Sequence, residues 1–239
     1  MSTSFDAPLS KMPKKATVTA DHEGHRRRLR ERFLKTRFDG LQDYEILELL
    51  LTFAIARRDV KPLAREAIRH FGSLTELLDA GGSELLEVPG IGANSVILIK
   101  LVREIVNYYL EQPLRRCEIL KNRDAMIHYL RAKLGGCGKE TLLVFYLGSR
   151  NRMLDRQLYT GTVDRSSLCI REIVEHAVLC HATGVIAAHN HPSGFPEPSP
   201  EDREFTRALA NGLGTLGILL LDHFVVTRAA AFSVLHDKA

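Results

Sequence analysis

The stretch HNHPSGFPEPSPED, from His189 to Asp202, contains side chains that are suited to holding a metal ion. Its two histidines, His189 and His191, close an apolar run, TGVIAAHNH, that has the pattern of a β-strand. In an extended strand, residues two apart point to the same face, roughly 7 Å from each other. Both imidazoles therefore leave the strand end together and can share one ion. A catalytic zinc takes three protein ligands and keeps a position open for water, and Asp202 is the candidate for the third.

The end of the same stretch also reads as the start of a helix. Ser199 suits the N-cap, Pro200 the first helical position, and Glu201 and Asp202 place acidic groups in the first turn. Helix capping explains these four residues without a metal, but it does not explain two histidines immediately upstream. The two interpretations are compatible, because a helix that begins there can present Asp202 to the strand end.

The spacing of these residues matches a family signature. The pattern H-x-H, seven residues, then S-x-x-D resembles the JAMM (MPN+) metallohydrolase motif, and here it comprises His189, His191, Ser199 and Asp202. The segments GHRRRLRERF, LLTFAIARRDVKPLA, VPGIG and HNHPSG together resemble the bacterial RadC family. This resemblance extends from about Gly24 to the end of the sequence.

The resemblance implies roles for particular residues. It implies one zinc ion per chain, which is held by His189, His191 and Asp202 and has water in the fourth position. It also implies an upstream glutamate, and Glu140, before the strand-like TLLVFYLG, occupies that place. Glu140 would take a proton from the water and return it to the leaving group, and Ser199 would stabilise the oxyanion. Glu172, on the predicted helix REIVEH, is the alternative to Glu140.

The composition is that of an ordinary globular protein. The 239 residues are 45% hydrophobic and 26% charged, with a net charge of +4, so the chain is long enough for two domains and is not a polycation. The cysteines form no C-x-x-C pair, which favours a reducing compartment; they are Cys117, Cys137, Cys169 and Cys180. No apolar run approaches the roughly 18 residues that a membrane span needs, and the first residues lack a signal-peptide pattern. We therefore predict a cytoplasmic protein without membrane contact.

Periodicity divides the chain into two parts after a short tail. Residues 1–22 are predicted to be a mobile tail, and residues 23–112 follow a helical pattern that includes the capping signature SLTE at Ser73. The last helix of this part is predicted to stop before Pro113. Residues 117–239 interleave four strand-like runs with helical ones. The predicted fold class is α+β: an all-helical N-terminal domain, then a JAB/MPN-like α/β sheet domain, which the resemblance assigns to the cytidine-deaminase-like type.

The helical part has features of a nucleic-acid-binding module. VPGIG places Gly90 and Gly92 between two predicted helices and resembles a helix-hairpin-helix, whose main-chain N–H groups hold phosphates. Arginines crowd the first helix, and the candidate DNA contacts among them are Arg26, Arg27 and Arg28. A tight packing turn and a solvated charged face explain the same residues. DNA is therefore a candidate partner of this domain.

Several other polar residues are predicted not to bind metal. Cys180 belongs to an apolar helix stripe and is expected in the core, whereas His176 and His181 are expected on the surface. Asp222 and His223 lie within an apolar strand. They are expected either to make a structural hydrogen bond or to support the metal ligands from behind.

Three functions stay open at the level of the sequence. The first is a zinc-dependent hydrolase of peptidase or isopeptidase type, with a substrate that the sequence does not identify. The second is a nucleic-acid-associated protein of repair or recombination, as the family's traditional name implies. The third is a non-catalytic interaction scaffold, since MPN domains persist without activity.

Overall fold

The computed structural model describes residues 20–116, 118–160 and 166–236. The predicted tail, residues 1–22, lies outside these residues except for its last three, which begin the first helix. The helices that come first are α1 (Ala20–Thr36), α2 (Asp43–Ala54), α3 (Lys61–Phe71), α4 (Leu74–Asp79), α5 (Gly82–Leu86) and α6 (Ala93–Arg116). The elements that follow are α7 (Arg123–Leu134), β1 (Thr141–Leu147), β2 (Met153–Thr160), α8 (Ser166–Leu179), β3 (Gly184–Asn190), α9 (Pro200–Gly214), β4 (Leu219–Val226) and β5 (Ala231–Ser233). None of the described helices has the length and apolarity that crossing a membrane requires.

Helices α2 to α6 share one apolar core, and α1 packs on α2. The predicted cap at Ser73 is confirmed, since its Oγ accepts a hydrogen bond from the backbone N–H of Glu76 at 3.1 Å. Helix α2 leaves part of its apolar surface exposed. Leu47 and Leu51 are fully buried, whereas Phe53 is 69% exposed and lies under the Arg30 guanidinium.

The second part is a five-stranded mixed sheet in the order β2-β1-β3-β4-β5. Strand β1 pairs antiparallel with β2 and β3, β3 runs parallel to β4, and β4 pairs antiparallel with β5. The predicted α+β class and the four predicted strands are confirmed. Strand β5 has three residues, which is too few to give a periodic signal.

Alternation along the strands determines which side chains meet which helices. On one face, residues of β1 and β3 pack with α8 and α9, and they include Leu142, Val144, Val185 and Ala187. The alternate residues pack with α7 on the other face, and they include Leu143, Phe145, Ile186 and Ala188. Because side chains alternate with a period of two, His189 belongs to the α8–α9 face and Asn190 to the α7 face.

Helix α6 joins the two parts, and its predicted end is wrong. The helix continues through Pro113 to Arg116, although proline removes one helical hydrogen bond. Its last turn is held by tertiary contacts, because Leu114 is fully buried in the sheet core. Glu111, which is 3% exposed, accepts two hydrogen bonds from Arg156 on β2, at 2.9 and 2.7 Å.

The Glu111–Arg156 pair is expected to stabilise the junction. Replacing Glu111 by Gln leaves Arg156 without its charged partner, and we expect the free energy of unfolding to fall by about 2 kcal/mol at pH 7. Denaturant unfolding measures this loss. The matched control is Glu175→Gln, which breaks the exposed pair with Arg171 and should change stability by less than about 0.5 kcal/mol.

The same pair predicts a pH dependence. Burial alone would raise the pKa of Glu111, but the hydrogen bonds and charges of Arg156 and Arg115 outweigh it and hold the pKa below its usual value. A lowered folded-state pKa adds stability above the unfolded pKa of about 4.3, and this stability is lost as the pH falls through the folded value. The difference in the free energy of unfolding between wild type and Glu111→Gln should therefore be constant above about pH 6 and become smaller in acid. A difference that grows on acidification would contradict this assignment.

Candidate metal centre

Four ionisable side chains converge at one end of the sheet. Glu140 immediately precedes β1, His189 lies in β3, His191 follows that strand by one residue, and Asp202 stands in the first turn of α9. Their ligand atoms all lie within 4.8 Å of one another. The structure thus brings together all three predicted ligands and the predicted acid–base residue.

The distances among three of these groups fit one small cation. His189 Nε2 lies 3.0 Å from His191 Nε2 and 3.0 Å from Asp202 Oδ1, and His191 Nε2 lies 3.2 Å from Asp202 Oδ2. Ligands about 2.0 Å from a tetrahedral zinc are separated by about 3.3 Å. Glu140 Oε1 is 4.0 Å from His189 Nε2. The arrangement therefore fits three ligands with Glu140 beside them.

The proton arrangement of His191 favours a cation. Its Nδ1 lies 2.8 Å from the carbonyl oxygen of Phe195, which can only accept, so Nδ1 carries the hydrogen. The backbone around this bond turns sharply at Gly194, with a φ of +83°. In the neutral ring, Nε2 is then a bare acceptor that faces the Asp202 carboxylate. Two acceptors this close repel each other unless a cation or a proton lies between them.

His189 is supported from behind by a chain of hydrogen bonds. Its Nδ1 lies 2.9 Å from Nε2 of His223 on β4, and Nδ1 of His223 lies 2.6 Å from the Thr206 hydroxyl. That hydroxyl lies 2.6 Å from the carbonyl oxygen of Asp202. A ligand Nε2 requires the hydrogen of His189 on Nδ1, and every hydrogen in the chain then has an acceptor. The network is therefore compatible with His189 binding a metal through Nε2.

His223 is held in its neutral form. Burial, reinforced by the electrostatic effect of the neighbouring His189, lowers the pKa of His223 to about 3. A neutral imidazole has one donor and one acceptor nitrogen, which is what the two neighbours of His223 require. Thr206, which was not predicted from the sequence, lies one helical turn after Asp202. This i, i+4 spacing on a helix is the signal that would have found it.

Asp202 is fixed by the cap of its own helix. Ser199 Oγ accepts a hydrogen bond from the backbone N–H of Asp202 at 3.1 Å, and Asp202 Oδ2 accepts one from the backbone N–H of Ser199 at 2.7 Å. Burial alone would raise the pKa of Asp202, but the neighbouring His189 and the hydrogen bond from the Ser199 N–H hold this pKa well below its usual range. The helix-start and metal-ligand interpretations thus apply to the same residues.

Comparison with known proteins agrees with this geometry. The family model described as RadC-like JAB domain matches residues 120–239, and a second, described as UPF0758 N-terminal, matches residues 23–97. The chain belongs to the RadC-like JAB family. A UPF0758 protein of Fusobacterium nucleatum subsp. nucleatum is 38% identical over 225 residues, which cover 91% of this chain and 97% of the relative.

Other candidates in this RadC-like JAB chain lie outside the cluster. Glu172 is exposed on α8 and is not among the four converging groups. His176, predicted on the surface, is instead bonded to Asp155 at 2.9 Å. Cys180 is partly buried against the α8–α9 core. Asp222 accepts hydrogen bonds from the Ser233 hydroxyl and from a backbone N–H, so it makes the expected structural hydrogen bonds, while His223 supports His189 from behind.

The candidate DNA contacts differ in their surroundings. Gly90 has a φ of +101°, and a Cβ there would lie 3.4 Å from Arg58 Nη2, whereas Gly92 has open space around it. Arg26 donates hydrogen bonds to the carbonyl oxygens of Ile55 and Arg58. The remaining two, Arg27 and Arg28, are exposed on α1. Arg26 is therefore engaged in packing the helices, and the other arginines face solvent.

Replacing His223 by Phe keeps a ring in place and removes both ring nitrogens. We expect zinc affinity to fall about 10- to 100-fold, because His189 loses the partner that orients it. Competition with a chromophoric chelator measures the change. The control is His128→Gln, which alters an exposed histidine on α7 and should leave affinity unchanged. Equal affinities for wild type and His223→Phe would show that the hydrogen-bond chain does not support the site.

Proposed function

We propose that the protein is a zinc-dependent hydrolase that cleaves peptide or isopeptide bonds. The observation that carries this proposal is the convergence of His189, His191 and Asp202. A fourth group stands beside them, since Oε1 of Glu140 lies 4.0 Å from Nε2 of His189. A structural zinc site closes all four positions with protein ligands, whereas a catalytic one keeps a position for water. Three ligands with a free carboxylate alongside match the second arrangement.

When bound, a zinc ion supplies Lewis acidity, which lowers the pKa of a coordinated water to about 7 and polarises a carbonyl oxygen. Glu140 is 30% exposed and so is open to both water and substrate. It takes the proton of the attacking water and delivers it to the nitrogen of the leaving amine. Ser199 accepts a hydrogen bond from Asp202 N–H, which leaves its own hydroxyl hydrogen to donate to the developing oxyanion.

Screening the zinc-loaded protein against peptide and isopeptide libraries tests this proposal. We expect cleavage by the wild type and a loss of at least about 100-fold in rate for Glu140→Gln, because proton transfer is removed. Zinc content should stay near one per chain in that variant. The loss for Ser199→Ala should be smaller, with about 1 kcal/mol of stability lost through the missing helix cap.

Two outcomes would contradict the proposal. If the wild-type protein binds no zinc and is as stable without added zinc as with it, there is no metal centre. A protein that binds zinc but cleaves nothing in either library would favour the non-catalytic scaffold instead.

The three described cysteines are free thiols, and we propose a reducing, cytoplasmic setting for the reaction on that basis.

A second candidate function is binding of nucleic acid through the helical region. It is supported by the neighbourhood of Arg58, whose guanidinium lies beside Gly90 and whose carbonyl oxygen binds Arg26. The glycine turn before α6 and the arginine-rich α1 therefore lie near one surface. Backbone N–H groups and arginines on one surface suit phosphates without reading bases.

Salt dependence tests this second candidate. We expect DNA affinity to fall steeply as salt rises, and Arg27→Gln to reduce the slope of log affinity against log salt by about 1. The matched control is Arg171→Gln. Both arginines are exposed on a helix and pair with a glutamate four residues later, but Arg171 lies in the sheet domain. Absence of binding at low salt, or equal effects of both variants, would reject DNA contact through α1.

A further inference from the structure

Asn190 stands between the two histidine ligands and points away from them. Strand alternation places it on the α7 face of the sheet, and it is 1% exposed. Its amide makes three hydrogen bonds to the backbone. Oδ1 accepts from Thr141 N–H at 2.8 Å, and Nδ2 donates to the carbonyl oxygens of Cys137 and Lys139 at 2.9 and 3.2 Å.

These three bonds bracket Glu140. One bonded group, the Lys139 carbonyl, comes immediately before Glu140, and another, the Thr141 N–H, comes immediately after it. The regular pairing between β1 and β3 begins only at Leu142, opposite His189. On the β3 side, the backbone that carries Glu140 is therefore tied by the side chain of Asn190.

The bonding pattern requires an amide. One N–H of the segment needs an acceptor, and two carbonyl oxygens need donors, which asparagine supplies from one planar group. Aspartate would turn a carboxylate oxygen towards two carbonyl oxygens. Leucine, of similar size, would remove all three bonds, of which the one from the Thr141 N–H is buried, and would leave the Lys139 carbonyl only its bond from the Thr141 hydroxyl.

We propose that Asn190 is a positioning residue that holds Glu140 beside the metal ligands. One strand then carries both halves of the arrangement, because His189 faces His191 and Asp202 on one side of the sheet while Asn190 binds the Glu140 segment on the other. The inference rests on the proposed function, in which Glu140 acts next to the metal. Its test needs no substrate, so it can fail or succeed independently of hydrolysis.

The test is a double-mutant cycle read out as zinc affinity. Glu140→Gln removes a negative charge near the ion and is expected to raise the dissociation constant about 10-fold. Asn190→Leu should raise it about 3- to 10-fold, because the Glu140 carboxylate is no longer held in place. If Asn190 acts through Glu140, the double variant should match Glu140→Gln within about twofold. If the increases in the dissociation constant for the two single variants multiply in the double variant, the proposal is overturned, since Asn190 would then affect the ligands directly.

Asn190→Ala provides a second variant in case leucine prevents folding. It removes the same bonds and leaves space that water can enter, and the same non-additivity with Glu140→Gln is expected. The control is Tyr146→Phe, which removes a partly buried hydrogen bond to Tyr159 at the far end of β1. It should lower stability but leave zinc affinity unchanged. If this control loses as much zinc affinity as the Asn190 variants, the effect of Asn190 is general destabilisation and the proposal fails.

Hydrogen exchange separates this inference from the proposed function. In the metal-free protein, the Thr141 amide should exchange at least about 10-fold faster in Asn190→Leu than in wild type, while the Tyr146 amide stays protected. Unchanged protection at Thr141 would overturn the positioning role even if the protein hydrolyses peptides. A protein that binds no zinc would defeat the proposed function, and the exchange rates would still decide whether Asn190 holds the segment.

Discussion

The crowding of two imidazoles and one carboxylate within about 3 Å is the constraint on which this structure depends. Bare acceptors at such distances repel one another unless a cation or protons lie between them, so the protein must hold them from behind. Each ligand has its own support. His191 is bonded to the Phe195 carbonyl, His189 to His223, and Asp202 to the Ser199 N–H. The supports come from a loop, a neighbouring strand and a helix cap, and none of them needs the metal.

Side chains along β3 alternate between the two faces of the sheet, so neighbouring residues support different parts of the site. Its last residues alternate between the α8–α9 face, where His189 meets His223 and Asp202, and the α7 face, where Asn190 meets the Glu140 segment. A one-residue shift in register would exchange the two faces and lose both sets of contacts. The register is secured by buried neighbours on both faces, which include Ala187 and Ala188. Core packing and site geometry are therefore the same constraint.

The parts that the sequence predicts well are those set by short-range rules. Strand alternation brings His189 and His191 together, and the capping pattern at Ser199 returns Asp202 to them. Glu140 needed the family resemblance, because its distance from His189 depends on pairing between strands far apart in the chain. Support of the ligands by His223 was one of two expectations for the Asp222–His223 pair, and the choice between them depended on long-range pairing for a related reason. His223 lies on β4, parallel to β3 with a register shift after Val185, and no local pattern encodes that shift.

Long-range packing also decides which face of α2 is buried and where α6 ends. The run from Ile46 to Phe53 in α2 is apolar on nearly every side, so its periodicity does not select the buried face. Pro113 has the local effect expected of proline, but the burial of Leu114 and the pairing of Glu111 with Arg156 outweigh it. In both cases a tertiary contact decides between conformations that the local sequence leaves close in energy.

The junction between the two parts reaches the metal centre through a short path. Asp79 of α4 is 7% exposed and binds Arg103 of α6 at 2.7 Å and Arg228, which follows β4, at 3.2 Å. Gly136 lies against it so closely that a Cβ there would overlap the carboxylate. The next residue, Cys137, is bonded to Asn190. The segment that carries Glu140 is thus held by the sheet on one side and by the helical region on the other. A displacement of α4 would reach Glu140 within four residues of Gly136, and it would reach His191 through Arg228, because the Val226 carbonyl two residues earlier accepts a hydrogen bond from the His191 N–H at 3.0 Å.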